Sequence, residues 1–160
     1  MRRLIAQPLT AEAFAAYGEV LEAPRTFGRT YFEGRLANGR LNAKPSLSLT
    51  LSKPAAALPL KAQMMERHEF SSQSFVPMDD GSWFVIVAPH AAGGGPDISR
   101  VEAFVAGPGQ GVTYGMNVWH HPMTTIEKPI RFAIYMWLER SQTDEEFVQI
   151  AAPFEVALPA

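Results

Sequence analysis

Cysteine is absent from the 160-residue chain. Disulfide scaffolds, thiolate zinc sites, iron–sulfur clusters and cysteine nucleophiles are therefore excluded together. An excess of one charge is missing as well: 14 Lys and Arg stand against 16 Asp and Glu, a formal net charge of −2. No strong field is present to recruit nucleic acid or an anionic membrane surface, and neither is expected as a partner. No apolar run approaches the ~20 residues of a membrane span. The opening Met1-Arg2-Arg3-Leu4-Ile5-Ala6-Gln7-Pro8 has no apolar stretch behind its arginines, so a signal peptide is not expected and a cytoplasmic location is. Histidine is scarce, with four residues at 68, 90, 120 and 121. Chemistry must come from these, from carboxylates, and from hydroxyl or amide side chains.

What is present suits a globular chain: 47% hydrophobic residues and 19% charged. At roughly 150 residues per domain, residues 1–160 read as one domain. Area scaling gives about 7,900 Å² folded against about 25,500 Å² unfolded, enough burial for a proper core without staples.

The 12 glycines and 13 prolines are spread as punctuation, which suits many short strands joined by turns. Thr10 to about Tyr17 reads as a short helix. Thr10 caps it, Glu12 sits in the positive first turn, and Gly18 offers a left-handed stop. From about residue 30 to 140 the pattern is strand-like. Leu47-Ser48-Leu49-Thr50-Leu51 alternates with period two, apolar on one face. Trp83–Ala88 is a continuous β-rich run, consistent with burial on both sides. Val101–Val105 and Arg131–Leu138 continue the pattern, and Ala91–Pro96 reads as a surface loop. Near the end, Thr143-Asp144-Glu145-Glu146 matches a capping box, so a short helix is expected to follow and to stop before Pro153. With no helix in the middle, a barrel or sandwich of short antiparallel strands is expected, not a doubly wound sheet.

Three regions hold nearly all the candidate polar groups. In Glu66-Arg67-His68 a strand would put Glu66 and His68 on one face and Arg67 on the other. That pair suits acid–base work or metal ligation through N and O, or else a surface ion network. Gly107-Pro108-Gly109-Gln110-Gly111-Val112, leading to Tyr114, lacks the Lys-Ser/Thr of a phosphate loop and reads as a turn between strands. In Asn117-Val118-Trp119-His120-His121-Pro122 the adjacent histidines would point to opposite faces of a strand. His90 reads as an exposed loop residue, Arg67 as an ion-pair partner, and Trp119, Phe75 and Phe104 as wall or core.

Together these spacings resemble a cupin. Glu66-x-His68-x4-Gln73-x7-Gly81 occupies the first cupin motif, with Glu and Gln where a His and a Glu are usual. Asn117-x-x-His120 stands where the second motif ends, which makes His120 the inward histidine by analogy. Glu66, His68, Gln73 and His120 are then candidate ligands of one divalent metal such as nickel, or members of a metal-free acid–base pocket.

The match goes closer. Glu66-Arg67-His68 with Ser72-Gln73-Ser74-Phe75-Val76-Pro77 resembles a string of the ureidoglycolate lyase family. So do Gln110-Gly111-Val112-x-Tyr114, Val118-Trp119-His120-His121-Pro122 and the opening Pro8-Leu9-Thr10…Phe14…Tyr17-Gly18-Glu19-Val20. Many members carry His or Arg just after the tyrosine, where this chain has Gly115-Met116, and the tail after Leu138 also differs. The resemblance implies a mainly β, cupin-like (jelly-roll type) antiparallel barrel or sandwich with short N- and C-terminal helices. It implies cleavage of (S)-ureidoglycolate to glyoxylate and urea in allantoin and purine nitrogen breakdown, with His68, His120, Tyr114, Gln73 and His121 in the site. A homodimer acting on a small carboxylate-bearing substrate is expected. The alternatives are an amidohydrolase releasing ammonia and a non-catalytic module that binds small carboxylates.

Overall fold

A computed structural model describes residues 1–160. In chain order the elements are β1 (Arg3–Ile5), β2 (Gln7–Pro8), α1 (Ala11–Phe14), β3 (Gly18–Glu22), β4 (Lys44–Ser52), β5 (Leu60–Arg67) and β6 (Gln73–Pro77). They continue with β7 (Trp83–Ala88), β8 (Glu102–Ala106), β9 (Gln110–Tyr114), β10 (Trp119–His120), β11 (Thr124–Thr125), β12 (Ile130–Leu138) and β13 (Glu146–Ala157). A single 3-10 turn, Ile98–Arg100, precedes β8.

The strands form two facing sheets of mostly antiparallel pairs. The larger runs β1-β13-β5-β10-β7-β8-β2, with β11 added on β7. The smaller runs β3-β9-β6-β12-β4. This is the expected cupin-like, mainly β architecture. One buried cluster lies between the sheets and includes Phe14, Val20, Phe75, Trp83, Val85, Val87, Val112 and Phe132. A second includes Ala62, Met65, Phe84, Ile86, Trp119, Phe154 and Val156 on the other face of the larger sheet. All six residues of β7 are buried because alternate side chains feed different clusters. That accounts for the continuous apolar run.

The short N-terminal helix is present, with the Thr10 hydroxyl accepting from the Ala13 N–H at 3.1 Å. Gly18 does not stop it in a left-handed turn. It opens β3, where any Cβ would overlap the Thr113 carbonyl oxygen, so the close approach of β9 is what requires glycine.

The expected C-terminal helix does not form. Asp144 does not cap the residues that follow it. Its carboxylate turns back to accept from the N–H of Glu139 (2.9 Å) and of Ser141 (3.0 Å). Residues 146–157 then extend as β13, which supplies Ile150, Phe154 and Val156 to the second cluster and pairs with β5 and β1. Pro153 is tolerated because the β13–β5 register shifts between Gln149 and Phe154, where no ladder donor is needed. Burial and sheet closure outweigh a local capping signal.

β4 holds a second surprise. Its leucines face solvent: Leu47, Leu49 and Leu51 are 72%, 68% and 65% exposed. The alternate residues Ser46, Ser48, Thr50 and Ser52 lie on the other face of the strand, opposite Met136, Ile134, Phe132 and Ile130.

Gly18→Ala is expected to destabilise the fold by about 1–3 kcal/mol, as overpacking does. Gly93→Ala, where a Cβ meets nothing within 4 Å, should stay within about 0.5 kcal/mol of the parent. Urea denaturation of both variants checks this, and equal effects would contradict the close-approach account.

Candidate functional site

Two cross-strand pairs, one from each sheet, face each other at one end of the sandwich. On the larger sheet His120 of β10 lies opposite Glu66 of β5. On the smaller sheet Gln73 of β6 lies opposite Tyr114 of β9. The Tyr114 ring stacks on the His120 imidazole, with centroids 4.2 Å apart and planes within 9°. His68, just past the end of β5, brings its ring to 5.4 Å from that of His120. His120 is 1% exposed, Tyr114 2%, His68 5% and Gln73 8%.

Alternation sorts this stretch as expected. Arg67 turns away from Glu66 and His68, pairs with Glu146 at 2.6 Å, and lies 5.0 Å over the Trp119 ring. Trp119 enters the second core cluster, and its indole N–H donates to His90 Nδ1 at 3.0 Å. His90 is exposed and outside the site. His121 follows the end of β10, half-buried, close enough for Glu66 and His120 to act on it electrostatically.

Hydrogen bonding fixes what each buried group offers. His68 Nδ1 donates to the Asp144 carbonyl at 2.9 Å, and His120 Nδ1 to the Val118 carbonyl at 3.1 Å. A carbonyl only accepts, so both imidazoles carry a proton on Nδ1, and in its neutral form each presents an Nε2 lone pair. Neither Nε2 has a hydrogen-bond partner, although His120 Nε2 lies 3.3 Å from Glu66 Oε1. Gln73 turns its amide N–H toward Met136 Sδ at 3.7 Å, and its Oε1 is also left without a partner. With both imidazoles neutral, four acceptors thus converge with no donor among them. Donor atoms of Glu66, His68 and His120 all lie within 4.8 Å of one another. Unpaired buried acceptors cost free energy unless a cation or a donor fills the space between them.

The direction of the His68 shift agrees with a neutral ring there. Burial holds the His68 imidazole below its ordinary pKa, with the neighbouring His120 adding to the effect; the Asp144 carbonyl, Glu66 and Gln73 only partly oppose it. Burial also lowers His121. For Glu66 burial acts upward, but hydrogen bonding to His120 and the attraction of His120, then His68 and His121, whenever those rings are protonated outweigh it, and the carboxyl sits below its usual range. Burial, then the Glu66 charge, push the Tyr114 hydroxyl upward, so it stays protonated.

The structure therefore brings Glu66, His68, Gln73, Tyr114 and His120 together and leaves His121 beside them. Sequence reasoning missed the carbonyls of Val118 and Asp144, which select the tautomers. Backbone acceptors carry no residue-type signal, and Asp144 had been assigned to a helix start.

The ureidoglycolate lyase family matches residues 1–157. A ureidoglycolate lyase from a Chelativorans species is 38% identical over 168 residues, covering 99% of this chain and 99% of its own. One from Pseudomonas syringae is 39% identical over 143 residues, covering 84% of this chain and 82% of its own. Among solved structures, a dTDP sugar isomerase from Desulfovibrio desulfuricans aligns over 84% of this chain and 83% of its own, with 16% identity and a TM-score of 0.47.

A histidine held below its ordinary pKa binds fewer protons folded than unfolded. The stability it contributes is present above about pH 6.5 and is lost as pH falls. Glu66 acts with the same sign in the carboxylate range. The unfolding free energy of chelator-treated protein should therefore drop between pH 7 and pH 5, and His68→Gln should flatten that drop. Denaturant titrations across this range check it; an unchanged slope in the variant would contradict the neutral His68.

Proposed function

The chain belongs to the ureidoglycolate lyase family, and from that premise we propose that it splits (S)-ureidoglycolate into glyoxylate and urea, a step in nitrogen recovery from allantoin and purines. The observation that carries the reading is the cluster of four converging acceptors, Glu66, His68, Gln73 and His120, beside a protonated Tyr114.

The donor set fits a divalent cation such as nickel. It combines two imidazole Nε2 atoms, a carboxylate and an amide oxygen, with both imidazoles oriented from behind by carbonyls. Such a cation, when bound, supplies Lewis acidity that lowers the pKa of a substrate hydroxyl. The remaining work falls to side chains. The substrate is a carbinolamide, with a hydroxyl and a ureido nitrogen on one carbon next to a carboxylate. The hydroxyl proton leaves, its electron pair forms the aldehyde C=O, the C–N bond breaks, and the departing urea nitrogen takes a proton. No water is consumed, so the reaction is an elimination and not a hydrolysis. His121 is the candidate base. Its Nδ1 is held on the Pro122 carbonyl at 2.8 Å and burial keeps it neutral. Tyr114 is the candidate acid. A departing ureide nitrogen is far more basic than a phenolate, so a tyrosine held above its ordinary pKa still donates to it.

Residues 1–160 are read as one domain, and the enzyme as a homodimer. Leu47, Leu49 and Leu51 form an exposed apolar stripe on the edge strand β4, continued through Ala133 to Val76. The exposed area of 8917 Å² exceeds the roughly 7,900 Å² expected for a chain of this mass. The excess, about 1,000 Å², is of the order of the ~800 Å² that a standard interface buries on each partner. No helix is long and apolar enough to cross a membrane. A cytoplasmic site of action suits a fold that holds together without cysteine.

Purified protein incubated with (S)-ureidoglycolate should release urea and glyoxylate in equal amounts, with no ammonia. Tyr114→Phe, which keeps the stacking on His120, should lower kcat about 10²- to 10⁴-fold. Ammonia in place of urea, or a fully active Tyr114→Phe, would overturn the assignment. Sedimentation should give a dimer that Leu49→Glu converts to monomer; a monomeric parent would remove the homodimer.

A further inference from the structure

The carbonyl that accepts the His68 Nδ1–H hydrogen bond is held in place by a largely buried ion pair reaching across the chain. Asp144 ends the turn after β12. Its carboxylate accepts from the backbone N–H of Glu139 and Ser141 and meets Arg40 Nη1 at 2.8 Å. These two side chains are only 10% and 11% exposed. Arg40 makes two further contacts there, donating to the Trp137 carbonyl near the end of β12 at 3.3 Å and to the Thr143 hydroxyl of the turn at 3.4 Å.

The segment that carries Arg40 is stitched to the other side of His68. The Gly39 N–H donates to the Phe70 carbonyl at 2.8 Å, and the Ser72 N–H donates to the Ala37 carbonyl at 2.9 Å. The guanidinium also lies 5.7 Å over the Phe70 ring. Residues 70–72 link His68 to Gln73, so a closed circuit runs from His68 to Asp144, on to Arg40, and back through residues 37–39 to the stretch between the two site residues.

We propose that Arg40 and Asp144 act as a positioning clamp that fixes the tautomer and ring orientation of His68. This rests on His68 being a site residue, as argued above. An imidazole has two neutral tautomers, and only the one with its proton on Nδ1 offers a lone pair to the cluster. The Asp144 carbonyl selects that tautomer only while the turn aims it at Nδ1. Without Arg40 the Asp144 carboxylate loses its ion-pair partner in a largely buried setting, and the turn relaxes toward solvent. Nδ1 then loses its acceptor, the proton can reside on Nε2, and the fourfold convergence of acceptors breaks.

A clamp of this kind is distinguishable from a mere staple. Full-length, metal-free protein labelled with 15N-histidine would be studied by long-range 1H–15N correlation, with circular dichroism to verify folding. In the parent, His68 Nδ1 should be protonated and Nε2 not. Arg40→Met and Asp144→Asn should give a mixture of tautomers, and Arg40→Lys, which keeps one contact with Asp144, should restore much of the parent form. With ureidoglycolate as substrate, Arg40→Met should lower kcat about 10- to 100-fold with a much smaller change in KM, and affinity for added nickel(II) chloride should fall by a similar factor. Arg131→Met, which breaks the exposed Arg131–Asp79 pair on the smaller sheet, should change none of these. A folded Arg40→Met with an unchanged His68 tautomer and unchanged kcat would overturn the clamp, as would a parent His68 protonated on Nε2. A parent with the Nδ1–H form that Arg40→Met disturbs, but no turnover of ureidoglycolate, would support the clamp and remove the functional reading instead.

Discussion

Two buried imidazoles that each donate Nδ1–H to a backbone carbonyl have, when neutral, only a lone pair to offer on their other nitrogen. In this chain that constraint organises the site. His68 and His120 present lone pairs, Glu66 presents a carboxylate, and Gln73 presents a carbonyl because its N–H faces Met136. Like acceptors repel, and a low-dielectric interior magnifies the repulsion. The pocket is therefore built for a positive centre or a donating substrate. Its walls are rigid enough to hold the acceptors together before either arrives.

The rigidity comes from the two sheets. β5 and β10 carry one facing pair, and β6 and β9 carry the other. The larger sheet is anchored by β7, which is buried along its whole length between two apolar clusters. The smaller sheet is pressed close by Gly18 and Gly111, where side chains would collide with the carbonyl oxygens of Thr113 and Phe75. The stack of Tyr114 on His120 joins the two sheets at the site itself.

Much of this was legible in the residues. The unbroken Trp83–Ala88 run and the absence of helix-forming stretches in the middle identify the architecture. The alternation of Glu66, Arg67 and His68, and of Trp119 and His120, separates site from wall, because a strand has period two whatever its partners. Three features were not legible, each for a physical reason. The capping-box residues 143–146 start no helix, because β5 needs a partner and β13 buries Ile150, Phe154 and Val156 by supplying one. The leucines of β4 point outward, because period two reports that a strand has two faces and not which one meets the core. The link from Arg40 to Asp144 spans 104 positions in the sequence and depends on a turn whose shape no local pattern announces.

The site depends on His68 and His120 facing the same centre through Nε2. X-ray absorption at the nickel edge of the protein loaded with one equivalent of nickel(II) tests this most directly. Two imidazole nitrogens are expected around the metal, with oxygen ligands completing the coordination, and one imidazole should be lost in His120→Ala. A coordination made only of oxygen, or one that His120→Ala leaves unchanged, would contradict that geometry.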